Sequence, residues 1–413
     1  MIKFRLTVIS FLQFFIWGCW LITIGAYWFN NKKWDSTEFG VIFSTMGLAS
    51  LFMPAITGIL ADKLIPAQKL YGVLHLLGAI GLFFIPQANS PQDMFWIILA
   101  TMIFYMPTIS LSNTVAYHIL TTRNFNVIKS FPPIRVWGTV GFICALWTIS
   151  LTKNETSANQ FYLASFVSVF LGIFSFTLPD CPPLGRQKGP IKLASIFGLS
   201  AFQLFKDRQF AVFFTFSMLL GAALQLTNAY GDTFLHEFSS KTEYAQSLAV
   251  KYPAMIMSIS QISETLFILA IPFFMRRFGI KQVMLISMIA WVLRFALFAY
   301  GDPGSGLWMI VLSCIIYGMA FDFFNISGSL FIEQSANKEI RSSAQGLFTT
   351  MVNGVGAVFG SLSSGYIIQH FFINQDGSKQ WNNIWMTFAI YALIVAIAFV
   401  FLFKDSKQKA WNN

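Results

Sequence analysis

A few positions inside long apolar runs of this chain carry side chains able to bind or ionise. The run 209–235 holds Gln225, Asn228 and Asp232, and the run 131–151 holds Arg135, Thr139 and Phe142. On a helix those spacings put each trio on one face. The run 249–274 holds Ser258, Ser260, Gln261 and Glu264, and the run 307–332 holds Tyr317, Asp322, Asn325 and Ser329. Amide side chains donate and accept at once, which suits neutral polar ligands such as sugars or bases; hydrogen bonding between helices is the other use of such groups. A bare carboxylate at Glu264 would be poorly solvated, so that carboxyl is a candidate proton carrier. The competing explanation is a static pair with Arg135 or Arg294. Arg135 stands near the end of its run and could instead snorkel to water, and Asp232 could simply be solvated.

On an ideal helix Tyr317 and Asp322 differ by about 140°. They serve one cavity only if it wraps part of the helix or the helix is irregular, which Gly318 and Gly328 would permit. From the residues alone, Tyr317 and Phe321 read as packing aromatics. Arg294 either pairs with a neighbouring helix or snorkels, and falls outside the site. His75, His118, His236 and His370 are scattered and read as interfacial or packing residues. The sequence has no nucleophile triad, phosphate-binding Gly-Lys loop or zinc spacing. We therefore expect no enzyme, no metal and no cofactor.

The elements that must position these residues are membrane helices. Hydrophobic residues make up 56% of the 413, charged residues 11%, and Phe occurs 47 times. Soluble proteins carry about 25% charged residues, so this chain lacks the charge to solvate a surface. Apolar runs recur at 6–29, 38–61, 68–87, 94–121, 131–151, 158–178, 209–235, 249–274, 280–300, 307–332, 343–370 and 383–403, each near the length a spanning helix needs. The fold class is thus all-α membrane, with twelve transmembrane helices. Cys19, Cys144, Cys181 and Cys314 have no metal-ligand spacing and read as buried thiols. The apolar run after Lys3 and Arg5 lacks a cleavage site and is longer than a signal core, so it reads as a retained first span.

The longest polar stretch, 179–208, divides the chain into an amino-terminal six-helix half, 1–178, and a carboxy-terminal one, 209–413. Sorted by loop, nineteen of the 27 Lys and Arg fall on one side and six on the other. The positive-inside rule then puts both termini and the 179–208 linker in the cytoplasm. The net charge of +10 is explained by this asymmetry; there is no basic stripe or docking motif for nucleic acid.

The loop Gly58-Ile59-Leu60-Ala61-Asp62-Lys63 resembles the Gly-x-Leu-Ala-Asp-Arg signature of the major facilitator superfamily, and a short basic loop, Arg276-Arg277-Phe278-Gly279-Ile280-Lys281, occupies the equivalent place in the second half. Longer runs are more specific. Ser10 to Gly18, Phe131 to Thr139, Gln261 to Glu264, Ala320 to Ser329 and Ser342 to Gly346 resemble the nucleoside:proton symporter family of that superfamily, and especially its bacterial nucleoside and xanthosine permeases. The similarity covers essentially the whole chain.

The resemblance implies the major facilitator fold, a central cavity and alternating access. It implies proton-coupled uptake of nucleosides of the uridine, adenosine or xanthosine class by a multi-pass protein of the bacterial inner membrane. It assigns substrate binding to Arg135, Thr139 and Phe142 in the first half. In the second half it assigns Gln225, Asn228, Gln261, Glu264, Tyr317, Phe321 and Asp322, with Glu264 and Asp322 as candidates for proton coupling. The expected partners are nucleoside, protons and the lipid bilayer, the protein being a monomer that binds no nucleic acid. A sugar:proton symporter of the same fold is the alternative, since sugar cavities use the same side-chain types.

Overall fold

The computed structural model describes residues 2–183, 199–337 and 340–403. Much of the expected linker falls outside these residues, as do Arg186, Lys188, Lys192, Lys338, Lys404, Lys407 and Lys409 of the charge pattern. The chain forms two compact units, Met1–Phe197 and Gly198–Asn413. Apart from one isolated bridge between Ile373 and Lys379, the described residues build only helices. Nine of these, among the described residues, are long and apolar enough to cross a membrane.

The first unit contains α1 (Ile2–Gly18), α2 (Ser36–Lys63), α3 (Ala67–Phe84), α4 (Pro91–Thr122), α5 (Val127–Leu151) and α6 (Asn159–Ser175). Side-chain caps start several of them. Asp35 accepts from the Glu38 amide, Ser90 from Asp93 and Asn126 from Lys129, each satisfying an otherwise orphaned donor. The Asn126 cap starts α5 a full turn before the expected position, so Pro132 and Pro133 lie inside the helix and do not open it. Small residues let α5 approach α1. A Cβ at Gly18 would stand 2.7 Å from the Phe142 carbonyl oxygen, and one at Gly141 would collide with the Phe11 carbonyl. Such backbone approach is how helices associate where lipid removes the hydrophobic drive.

The second unit contains α7 (Arg208–Glu237), α8 (Pro253–Tyr300), α9 (Leu307–Ser335), α10 (Ser343–Phe371) and α11 (Trp381–Leu402). Helix α8 is two limbs, 253–278 and 280–300, meeting at Gly279 with φ 75° and ψ 172°. That conformation is open to glycine alone, and it interrupts an apolar helix of 48 residues. Helix α10 carries a π-helical stretch, Thr350–Gly356, seated against α7 where Gly221 meets the Val352 carbonyl and Gly356 the Met218 carbonyl. At one end of the unit, Glu237 accepts from Lys379 Nζ at 2.7 Å and Trp381 Nε1 at 2.6 Å.

The distribution of polarity inverts that of a soluble protein. Phe166, Leu269 and Phe401 are 72%, 76% and 74% exposed, while Gln13, Arg294 and Asp322 are buried. Large apolar groups outside and polar groups inside are stable only if hydrocarbon is the solvent. Of the cysteines, Cys19, Cys181 and Cys314 are buried and Cys144 is partly exposed; all four are free thiols.

Candidate functional site

In the first unit, Arg135, Thr139 and Phe142 occupy one face of α5, as their spacing requires. The Arg135 guanidinium lies 4.2 Å from the centre of the Phe14 ring on α1. Gly138 makes room for this: a Cβ there would stand 2.7 Å from an Arg135 guanidinium nitrogen and 2.7 Å from the Phe14 ring. Arg135 is partly exposed, Thr139 likewise, and Phe142 is buried. A cation held against an aromatic face keeps its hydrogen-bond donors available in the ring's periphery.

In the second unit the side chains converge on Tyr317. Its phenol has Glu264, Arg294 and Asp322 within electrostatic range and Gln261 within hydrogen-bonding reach. The Tyr317 and Phe321 rings are stacked, with centroids 6.0 Å apart and an interplanar angle of 8°; Trp291 meets Tyr317 edge-on, also at 6.0 Å. Glu264 and Asp322 lie within electrostatic range of each other. Asp322 is 5% exposed, and its Oδ2 has no hydrogen-bond partner among the described residues. Neighbouring packing fixes these positions. Gly318 lets α9 approach α8 so closely that a Cβ would stand 2.7 Å from the Ser263 carbonyl group, and the Ser263 hydroxyl donates to the Ile315 carbonyl.

Helix α9 is uninterrupted from Leu307 to Ser335. The irregularity that Gly318 and Gly328 could have allowed is absent; both glycines serve close packing instead. Tyr317 and Asp322 come within range of one another by the reach of their side chains and not by a distorted backbone. Gln225 and Asn228 stand on α7, the first buried and the second partly exposed. Asp232 is not solvated. It is fully buried, with Oδ2 3.2 Å from His236 Nδ1.

Two buried polar groups of importance escape a reading by spacing. Arg294 is 1% exposed and does not snorkel. Its Nη1 donates to the Ser313 carbonyl at 2.7 Å, and its guanidinium lies 4.6 Å from the Tyr317 ring centre and 5.1 Å from that of Phe298. A lone arginine within Trp291-Val292-Leu293-Arg294-Phe295, flanked by aromatics, was the available signal. The other is the cluster around Gln13. Its Oε1 accepts from Tyr71 at 2.7 Å and faces His75 Nε2 at 2.9 Å, while its Nε2 donates to Thr108 at 2.8 Å. Gln13 does not signal this by periodicity, because its partners come from other helices, Tyr71 and His75 from α3 and Thr108 from α4.

A family profile described as nucleoside H+ symporter matches residues 1–408. The xanthosine permease of Escherichia coli K12 is 50% identical over 404 residues, covering 98% of this chain and 96% of that protein. The nucleoside permease NupG of the same organism is 48% identical over 404 residues, with the same coverage. A crystal structure of the nucleoside transporter NupG superposes with a TM-score of 0.92 at 48% identity, covering 98% of this chain and 100% of the other.

Proposed function

The chain belongs to the nucleoside H+ symporter family, and from that premise we propose that it takes up nucleosides of the uridine, adenosine or xanthosine class across the bacterial inner membrane, coupled to protons, by alternating access. The observation that carries this reading is similarity near one-half identity along almost the whole chain to permeases named for nucleosides and xanthosine.

The membrane arrangement in this reading has twelve spans. Helix α8, with 48 residues, is about 72 Å long at 1.5 Å per residue, more than twice a hydrocarbon core of about 30 Å. Its limbs on either side of Gly279 act as two spans. Helices α1 and α6, of 17 residues each, are at the short limit for crossing and complete the set. Each half supplies six. The excess of Lys and Arg then sets both termini in the cytoplasm, and the protein acts as a monomer.

Substrate binding in this reading uses Arg135, Thr139 and Phe142 from the first unit, and Gln225, Asn228, Gln261, Glu264, Tyr317, Phe321 and Asp322 from the second. The amides bond ribose hydroxyls or the base edge. The stacked Tyr317–Phe321 pair offers a flat apolar wall for a nucleobase, worth roughly 1–3 kcal/mol per base by analogy with single-strand binding. Glu264 or Asp322 carries the proton. Insertion scales put a charged Asp at the centre of a span at about 2.5–3.5 kcal/mol. The Asp322 oxygen that has no hydrogen-bond partner among the described residues supports a role for it.

The test is uptake by proteoliposomes containing the purified full chain. Labelled uridine, adenosine and xanthosine should accumulate when the outside is acid, and accumulation should collapse with a protonophore. Uptake of sugars in preference to every nucleoside would overturn the assignment.

A further inference from the structure

Arg294 plays no part in the substrate set just proposed, yet it is the most deeply buried cation among the described residues of the second unit's core. No carboxylate forms an ion pair with it among the described residues. Removing a guanidinium from water is costly unless its donors are used and its charge is answered. Its contacts therefore bear on what it does. Nη1 donates to the Ser313 carbonyl at 2.7 Å and reaches the Ser260 hydroxyl at 3.5 Å, and Nε reaches the Thr227 hydroxyl at 3.4 Å. The Ser313 hydroxyl returns a bond to the Arg294 carbonyl at 2.9 Å. The plane of the cation is covered by Tyr317 and Phe298.

These partners come from three segments, and each adjoins a residue of the substrate set. Thr227 immediately precedes Asn228 on α7. Ser260 immediately precedes Gln261 on the first limb of α8. Ser313 stands one helical turn before Tyr317 on α9, so the carbonyl that receives the strongest bond is the one facing the Tyr317 amide along the helix. The guanidinium then lies against the Tyr317 ring itself. Three donors in a rigid fork can fix three segments at once, which a lysine ammonium on a flexible stem does less well.

We propose that Arg294 is a positioning residue for substrate binding, setting the mutual register of Asn228, Gln261 and Tyr317 from behind the site without touching the nucleoside. This rests on the substrate set proposed above. Arg294 is thereby part of the machinery for affinity and selectivity, and its effect passes through Tyr317.

The experiment measures nucleoside affinity and transport rate for the purified full chain and its variants, with thermal unfolding in detergent as the check on folding. Arg294→Met keeps the bulk and removes the charge and all three arms. It should raise KM for uridine and xanthosine by roughly tenfold or more while leaving the maximal rate within about twofold, a difference of about 1.4 kcal/mol in binding. Arg294→Lys, which keeps a cation near the Tyr317 ring, should recover part of the affinity. In a Tyr317→Leu background, Arg294→Met should cost much less than in the unsubstituted chain, since both substitutions disable one path. Unchanged KM in a folded Arg294→Met protein, or losses that add in the double variant, would overturn the proposal. If Arg294→Met does not fold, Thr227→Val and Ser260→Ala each remove one arm and keep the cation; raised KM supports the role, and unchanged KM in both rejects it. Failure of the unsubstituted chain to transport any nucleoside would refute the proposed function and this inference with it, a result separate from any of the variant outcomes.

Discussion

The guanidinium of Arg135 rests on the ring of Phe14 because the residue one turn further along α5 is Gly138. A side chain there would press on both groups, each at 2.7 Å from the new Cβ. The obstructing atoms are the far end of a flexible arginine and a ring, so Gly138→Ala should fold. We expect it to displace Arg135 and to reduce nucleoside affinity several-fold, with a melting temperature close to that of the parent. Gly141→Ala is the contrast. Its Cβ meets the backbone carbonyl of Phe11, which cannot step aside, so the α1–α5 contact must open at a cost of about 1–3 kcal/mol. Thermal unfolding and substrate titration of the two variants side by side check this. Equal loss of stability in both would show that Gly138 serves packing alone.

Gln13 on α1 joins α3 and α4 of the first unit. Its side chain engages Tyr71, His75 and Thr108, and its carbonyl accepts from Tyr105 at 2.6 Å. Gln13→Ala would leave Tyr71, His75 and Thr108 without the amide in a place no water reaches readily, at about 1–3 kcal/mol for each group orphaned. We expect a large fall in thermal stability and little change in nucleoside affinity for the fraction that folds. Gln13→Glu keeps an acceptor for Tyr71 and His75 and should be milder. If Gln13→Ala melts with the parent, the cluster contributes no net stability.

The class of the protein and the placement of Arg135, Thr139, Gln225, Asn228 and Glu264 in apolar helices were legible in the sequence, because charge scarcity and the 3.6-residue period act over long stretches. Tyr317 and Phe321 carried no signal of the role proposed for them: an aromatic pair four residues apart on an apolar helix has the same pattern whether it faces a substrate or a neighbour. What supports that proposed role is the nearness of Gln261, Glu264 and Asp322 to Tyr317. Arg294 stayed open between a partner helix and snorkelling for a related reason. A single arginine in a span signals burial or snorkelling equally, and its partners Thr227, Ser260 and Ser313 are hydroxyl residues scattered over three helices. The start of α5 was misjudged because Pro132 and Pro133 suit a first turn, whereas the Asn126 cap lies further upstream.

Gly279 joins the limbs of α8 at a positive φ, and a Cβ built there would have nothing within 4 Å. Any penalty for Gly279→Ala is therefore one of backbone conformation, of order 1–3 kcal/mol, with no steric part. Larger side chains should cost about as much as alanine, a signature that separates strain from crowding. Thermal unfolding of Gly279→Ala and Gly279→Leu measures it. A graded loss with side-chain size would reject the conformational account.

Glu264 and Asp322 share a low-dielectric neighbourhood around Tyr317, and each bears on the other's charge. Two carboxyls so placed resist being ionised together. If one of them carries the coupled proton, replacing it by its amide removes the titration while keeping shape and hydrogen bonding. Glu264→Gln or Asp322→Asn at that position should abolish accumulation against a gradient, and uptake should lose its rise on acidifying the outside. Exchange of labelled for unlabelled nucleoside at equal concentrations needs no net proton movement and should persist. The other variant should keep the response to acid and lose affinity instead, by removing a charge from the binding surface. Proteoliposomes loaded for counterflow measure exchange and accumulation in the same preparation. Should both variants still concentrate nucleoside with the parent's dependence on external pH, the proton travels through neither carboxyl.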